Sequence, residues 1–371
     1  MLYLLSAWST HFGPLRLFQY ITVRTAFATA TALFLSIVLG PHFIAALQRL
    51  SVAHLGERDE LSFHNHKLGT PTMGGLLVIG VLCFTMILFG NFANRFVSLI
   101  LLTTVGLASV GFIDDFLKLT KKNPKGLSGR YKLLGQGILA LTVGCSLYLL
   151  PTEAGQLWLD KPVTFANGTN VSVPFLKTVL IPLGIFYIPF VMIVIVGASN
   201  AVNLTDGLDG LATGSTIACA VALGGLTYLI GNVNFSSYLN VMYVRDVGEI
   251  TVFIGALIGA LLGFLWFNAY PAEVFMGDTG SLALGGALGT VAVIIKQELT
   301  LIIIGGIFVA EALSVIIQVF SFKTTGRRVF KMAPLHHHFE LSGWPEPKVI
   351  VRFWIVAFIL ALMSLATLKL R

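Results

Sequence analysis

Apolar stretches close to the ~20 residues needed to cross a bilayer recur along the whole chain. Ten such spans fall at about 20–44, 73–90, 96–113, 133–150, 176–197, 209–230, 249–267, 279–295, 299–320 and 350–369. Charged residues make up only 11% of the 371 residues, less than half the roughly 25% usual in soluble domains. The expected fold class is therefore all-α: a polytopic membrane protein of about ten transmembrane helices in a single membrane domain. Pro182 and Pro189 interrupt the fifth span, where bent or locally opened helix is expected. No internal repeat or low-complexity tract is visible.

Lysine and arginine set the expected orientation. The loops at about 45–72, 114–132, 198–208, 268–278 and 321–349 carry 14 of the 24, and a few more lie at span ends and termini. These are Arg49, Arg58 and Lys67, then Lys118, Lys121, Lys122, Lys125, Arg130 and Lys132, then Lys323, Arg327, Arg328, Lys331 and Lys348. The alternate loops hold Arg95, Lys161, Arg245 and Lys296. The first set is expected to be cytoplasmic and both termini to lie outside. The net charge of +7 is spread over these loops, so a cytoplasmic membrane face explains it and nucleic acid does not.

Cys83, Cys145 and Cys219 lie inside apolar stretches and read as small buried hydrophobes rather than a disulfide or metal framework. The N-terminus lacks a basic region followed by a small-residue cleavage site, so no removed signal peptide is expected. Around Asn167-Gly168 the residues alternate, which predicts a small external β-hairpin at about 160–174. Two N-glycosylation triplets there are of a kind common by chance.

The few polar residues collect on one side. "HKLGTPTMGG" holds Lys67 and Thr72 in a glycine-rich turn; "GFIDDFLK" holds Asp114, Asp115 and Lys118 at the expected mouth of the third span. "NAVNLTDGLDGLA" holds Asn200, Asn203, Asp206 and Asp209, and "WFNAYPAEVFMGDTGSLALGG" holds Asn268, Phe275, Gly277, Asp278 and Ser281. "MAPLHHHFE" holds His336, His337 and His338. Each stretch alone has a plain structural reading. The paired acids and Lys118 have helix-surface ion-pair spacing, and the Asp, Asn and Thr residues suit turns and helix caps. Lys67 would serve the positive-inside bias. Together, five loops bring acids, amides and histidines to one face of a chain otherwise starved of them, and ionisable groups near a membrane default to function. Carboxylates from several loops suit Mg²⁺, which keeps waters and bridges substrate phosphates. Lysines and glycine-opened helix starts suit the phosphates themselves. Zinc is disfavoured by the cysteine positions and histidine spacing. The pattern asks for a diphosphate and Mg²⁺ at a cytoplasmic membrane surface.

From about Leu50 to the C-terminus, these motifs in this order resemble the phospho-N-acetylmuramoyl-pentapeptide-transferase (MraY) family, within the polyprenyl-phosphate N-acetylhexosamine-1-phosphate transferase superfamily. The acidic motifs are shared across the superfamily, and "PLHHHFE" with "GWPE" points to the muramoyl-pentapeptide branch. The resemblance implies ten spans and a site on the cytoplasmic face of the bacterial inner membrane. It implies transfer of phospho-MurNAc-pentapeptide from UDP-MurNAc-pentapeptide to undecaprenyl phosphate, giving lipid I and UMP, in peptidoglycan synthesis. Mg²⁺ is the implied cofactor, with Asp278, Asp114 and Asp115 as its ligands. Asp114, Asp115, Asp278, His336 and His337 are the implied catalytic set. Lys67, Thr72, Lys118 and Lys125 would meet phosphates. Asn203, Asp206, Asp209 and Asn268 would hold the nucleotide, with Phe275 stacking on uracil, and Asn200, Gly277 and Ser281 would be further substrate contacts. His336, His337 and His338 would line the sugar and diphosphate side with Gln318 nearby, and Glu311 is a polar outlier in the ninth span. The proline-bent fifth span and the ninth would wall a lipid groove. Membrane lipids are expected partners, a homodimer is compatible, and nucleic acid is not expected. Direct attack and a phospho-enzyme at Asp114 both stay open.

Two other readings compete. A related transferase would use UDP-GlcNAc instead. A secondary transporter would place its acids near the bilayer midplane between repeated halves, whereas here they lie at span ends and no repeat is seen.

Overall fold

The computed structural model describes residues 13–52, 70–120, 126–149, 154–155 and 169–368. Ten helices correspond one to one with the ten expected spans. They are α1 (Ile21–Val52), α2 (Gly75–Phe89), α3 (Arg95–Thr120), α4 (Gly129–Leu149), α5 (Tyr187–Thr205) and α6 (Leu211–Ile230). After the short α7 (Val233–Leu239) come α8 (Ile250–Asn268) and α9 (Gly277–Ile294), then the single turn α10 (Thr300–Ile304) and α11 (Gly306–Thr325). The short α12 (Leu335–Glu340) precedes α13 (Glu346–Ala366). Nine of the ten are long and apolar enough to cross a membrane. The exception is α2, whose 15 residues span about 22 Å at 1.5 Å per residue, short of a ~30 Å hydrocarbon core.

Helix association in lipid depends on close approach of small residues, because apolar side chains gain nothing over lipid tails. The α8 sequence "GALIGALLG" supplies this with Gly255, Gly259 and Gly263 on one face. A Cβ on Gly255 would stand 2.7 Å from Thr25, one on Gly259 2.2 Å from the Thr29 carbonyl, and one on Gly263 2.4 Å from Ser36. This seam seats α1 against α8. The central element is α9, buried on every residue from Thr279 to Ile294. It meets α3 where Gly111 abuts the Asp278 carbonyl, α2 where Gly75 abuts Gly280, and α5 where Gly285 abuts Ala198 and Ser199. Glycine at 111 lets two backbones touch one turn before the paired acids. Gly111→Ala puts a Cβ 2.2 Å from a backbone oxygen, an overlap of the kind that costs about 1–3 kcal/mol. A lowered melting temperature in detergent, read by intrinsic fluorescence, is the expected result; an unchanged one would show that this contact does not hold α3 to α9.

The loops sort by parity. At one end Gly74 N–H donates to the Phe275 carbonyl (2.8 Å), and Ala272 N–H to Asp209 (3.0 Å). At the other, strand β1 (Ala154–Gly155) pairs with β4 (Tyr243–Val244), and Asn94 donates to the Asp246 carbonyl. An ion pair between buried Arg24 and partly exposed Glu249, with bonds of 2.8 and 2.7 Å, ties α1 to the start of α8. Lys296, Tyr187 and Glu298 form a buried chain of hydrogen bonds nearby.

Several boundaries differ from expectation. The hairpin pairs β2 (Asn170–Val173) with β3 (Leu176–Pro182) across Pro174-Phe175, where Phe175 takes φ 68°. Residues 176–182 were expected to begin the fifth span, but their β-branched run Thr178, Val179 and Ile181 suits a strand. Asn167-Gly168, the expected turn, lies outside the described residues. Pro182 therefore ends a strand rather than bending a helix. Pro189 sits in the first turn of α5, where the missing N–H costs nothing. The third span does not stop at the acids: α3 continues to Thr120, so Asp114 and Asp115 lie within a helix and not at its mouth. Likewise α5 carries Asn200 and Asn203 in its last turns rather than in a loop.

Candidate active site

Asp114 and Asp115 are both buried, at 0% and 3% exposure. With Asp278, in the first turn of α9, they bring carboxylate oxygens within 4.8 Å of one another. Such a set is costly unless it is paired or holds a cation. Because α3 continues past the acids, Lys118 folds back one turn later onto Asp114 Oδ2 and reaches Asp278 Oδ2 at 2.9 Å. From the first turn of α4, Lys132 meets the same two oxygens, Asp278 Oδ2 at 2.7 Å and Asp114 Oδ2 at 3.2 Å. Three carboxylates face two ammonium groups, leaving one negative charge uncompensated.

Each acid is also oriented by neutral donors. Asp115 Oδ2 accepts the backbone N–H and hydroxyl of Thr279, at 2.9 and 2.7 Å, so it caps the N-terminus of α9. Asp114 Oδ1 accepts the Leu127 N–H at 2.7 Å, which Gly126 permits by adopting φ 54°. Asn203 Nδ2 donates to Asp278 Oδ1 (2.7 Å) and Ser281 Oγ (2.8 Å). A Cβ on Gly277, which has φ 75°, would lie 2.8 Å from Asp115 Oδ2 and 2.9 Å from Thr72 Oγ1. Thr72 and Gly277 thus border the acid cluster.

Asp206 follows directly on α5. Burial, and then the like charges of Asp278 and Asp115, push its carboxyl up to about 8. The backbone N–H of Gly277 donates to the same carboxyl and works in the opposite direction. Asp209 and Asn268 are buried and act as clamps. Asp209 accepts from Ala272, and Glu346 accepts from Asp209 N–H at 3.2 Å. Asn268 accepts the Thr213 hydroxyl (2.6 Å) and donates to the Val274 carbonyl (2.9 Å). They shape the turn that presents the half-buried Phe275, whose N–H donates to the Pro71 carbonyl.

The three histidines are oriented by three different partners. His336 Nδ1 faces Glu311 (3.2 Å) and His337 Nδ1 faces Glu340 (2.9 Å). His338 Nδ1 accepts the Lys331 N–H at 3.1 Å, so its neutral form carries the proton on Nε2. Gln318 spends its amide on the same loop, accepting from Val329 and Phe330 N–H and donating to the Phe330 carbonyl. Asn200 bonds to Gln136 and the Val196 carbonyl and sits in the α4–α5 packing.

The structure thus gathers Asp114, Asp115, Lys118, Asn203, Asp278 and Ser281 into one cluster, bordered by Thr72 and Gly277. Asn200 and Gln318 are engaged elsewhere, and Lys67 and Lys125 lie outside the described residues. Lys132 and Thr279 were not among the expected site residues. Lys132 stood out in the sequence only as a positive loop residue, although a polar Gln136 one helical turn later marks a polar face on an otherwise apolar span.

A helical membrane bundle that collects three carboxylates and two lysines from three of its helices is an integral-membrane enzyme whose site suits a divalent cation and phosphate groups. Residues 97–296 match the sequence profile of "Glycosyl transferase family 4". The phospho-N-acetylmuramoyl-pentapeptide-transferase of Thermodesulfovibrio yellowstonii is 51% identical over 373 aligned residues, covering 100% of both chains. That of Solidesulfovibrio magneticus is 51% identical over 370 residues, covering 100% of this chain and 99% of its own. The chain belongs to the phospho-N-acetylmuramoyl-pentapeptide-transferases of glycosyl transferase family 4.

Proposed function

We propose that the protein transfers phospho-MurNAc-pentapeptide from UDP-MurNAc-pentapeptide to undecaprenyl phosphate, giving lipid I and UMP, the first membrane step of peptidoglycan synthesis. The observation that carries this reading is full-length identity of 51% to relatives of that name, with the Asp114–Asp115–Asp278 cluster at its centre.

In the reaction an oxygen of the lipid phosphate bonds to the β-phosphorus of UDP, the one bonded to the sugar. The bond from that phosphorus to the bridging oxygen breaks, and its electrons leave on UMP. A phosphate monoester has a second pKa near ~6, so the attacking oxygen is mostly deprotonated at neutral pH and needs no strong base. Positioning and charge neutralisation carry the chemistry. Lys118 and Lys132 are placed to receive phosphate oxygens once the carboxylates find another counter-charge. The all-oxygen donor set fits a hard cation, and Asp114, Asp115 and Asp278 would hold Mg²⁺. When bound, that ion supplies positive charge for the diphosphate. Asn203 keeps Asp278 in place, and Phe275 offers a face for uracil. Lys67 and Lys125 are assigned phosphate contacts on sequence grounds.

Purified protein in lipid vesicles, given undecaprenyl phosphate and either UDP-MurNAc-pentapeptide or UDP-GlcNAc, tests the reading. UMP release and a lipid-linked product are expected with the first donor only. Transfer from UDP-GlcNAc would instead identify the related transferase.

We further assign the site end to the cytoplasmic face of the bacterial inner membrane and both termini to the outside, on the lysine and arginine bias. In inside-out and right-side-out vesicles, Ser342→Cys should react with an impermeant maleimide only from the cytoplasmic side. Asn234→Cys should react only from the opposite side. Labelling of Ser342→Cys from outside would invert the assignment.

A further inference from the structure

Glu311 is an ionisable residue that the transfer chemistry above does not use. It is fully buried within α11, where a carboxyl is expensive and defaults to a function. Its Oε1 accepts the backbone N–H of His336 at 3.2 Å and faces His336 Nδ1 at 3.2 Å. An oxygen that already accepts from the backbone is the acceptor for the ring as well, so the proton of that contact sits on Nδ1.

Nε2 is then the ring atom with work left to do. His336 is 1% exposed, and among the described residues its Nε2 has no hydrogen-bond partner. It faces Gly207, where a Cβ would stand 2.3 Å away. Gly207 is itself exposed and belongs to the Asp206–Gly210 loop assigned above to the nucleotide end. Nε2 therefore packs directly against the backbone of that loop, and only the absence of a side chain at 207 lets the ring approach so closely. A buried nitrogen without a partner is costly and calls for one.

We propose that Glu311 is a positioning residue for the transfer: by holding the proton on His336 Nδ1 it keeps Nε2, packed against Gly207 of the nucleotide-end loop, as a hydrogen-bonding atom that the UDP-linked substrate completes. The inference rests on the transferase reading and deepens it. It also explains why α11 carries a polar seam. Glu311 and Gln318, seven residues apart on α11, hold the short helix α12 that bears the three histidines and the segment at Val329 and Phe330 that leads to it.

The test uses full-length protein labelled with ¹⁵N-histidine in nanodiscs, with the His336 signal identified by its loss in His336→Asn. Wild type is expected to show a protonated Nδ1, and UDP-MurNAc-pentapeptide without lipid acceptor should shift the Nε2 resonance. Glu311→Ala should lose the fixed Nδ1–H signature and raise KM for the UDP-substrate about 10- to 100-fold, the usual cost of losing an orienting partner. KM for undecaprenyl phosphate should be unchanged. Glu311→Gln, whose amide oxygen still accepts both N–H groups, should keep the signature and rescue KM. An Nε2 resonance that ignores the substrate, or a folded Glu311→Ala with normal KM, overturns the inference. If Glu311→Ala does not fold, the wild-type titration and Glu311→Gln decide. A wild type that releases no UMP would overturn the transferase reading itself, a result distinct from transfer with an unresponsive Nε2.

Discussion

Asp278→Asn is expected to reduce turnover on the order of 10³-fold while the protein still folds, the scale on which removing one preorganised electrostatic group acts. The carboxylate is shared by Lys118 and Lys132 on one oxygen and by Asn203 on the other. Asparagine keeps the shape but removes the charge that draws both lysines and that would hold a cation. The α9 start should survive, because its cap comes from Asp115 through Thr279 and not from Asp278. Nucleotide binding should fall less than the rate, since Asp209, Asn268 and Phe275 lie on other turns. UMP release at several Mg²⁺ concentrations, beside a melting curve, makes the measurement. A folded variant with near-normal activity at low Mg²⁺ would remove Asp278 from the metal site.

Lys132→Met is expected to be nearly as severe, and for a reason of charge balance. It keeps the length of the side chain but leaves three clustered carboxylates facing Lys118 alone. Breaking a largely buried ion pair by removing one partner costs about 3–5 kcal/mol; Lys132 is 19% exposed, so the lower end applies to stability. Activity should fall about 10²-fold or more, the scale of a lost electrostatic stabiliser. Added Mg²⁺ should recover part of the stability, because a cation between the acids replaces the missing charge, but not the activity if the ammonium meets phosphate. Recovery of both by Mg²⁺ alone would reduce Lys132 to a place-holder for the metal.

The expected site was legible because membrane-buried polar residues are rare and therefore conspicuous. Asp114, Asp115, Asp278, Asn203 and Lys118 were each visible as polar residues at span ends, and they do converge. The sequence was less informative about where helices stop. A pair of acids looks like the end of a span, yet α3 runs through them, with Asp114 met by Lys118 and Lys132 and Asp115 by Thr279. Asn200 and Gln318 looked like ligand groups, but an amide signals only that a hydrogen bond is needed. Gln136 and the Phe330 loop supply those bonds. The hairpin was expected from Asn-Gly, while the pairing seen within the described residues turns at Pro174-Phe175 and takes in a segment apolar enough to pass for membrane helix.

What the sequence determined by itself is whatever depends on local composition. Backbone groups in lipid must be satisfied within each helix, so ten apolar segments specify ten helices, and the order of polar motifs specifies which ends carry chemistry. What only the tertiary structure decided is which polar groups meet. Lys132 and Asp278 are 146 residues apart, and nothing local links them. They meet because Gly111, Gly75 and Gly285 let α3, α2 and α5 press backbone to backbone against α9. A helix crossing is a property of two surfaces, and no single stretch of sequence contains it.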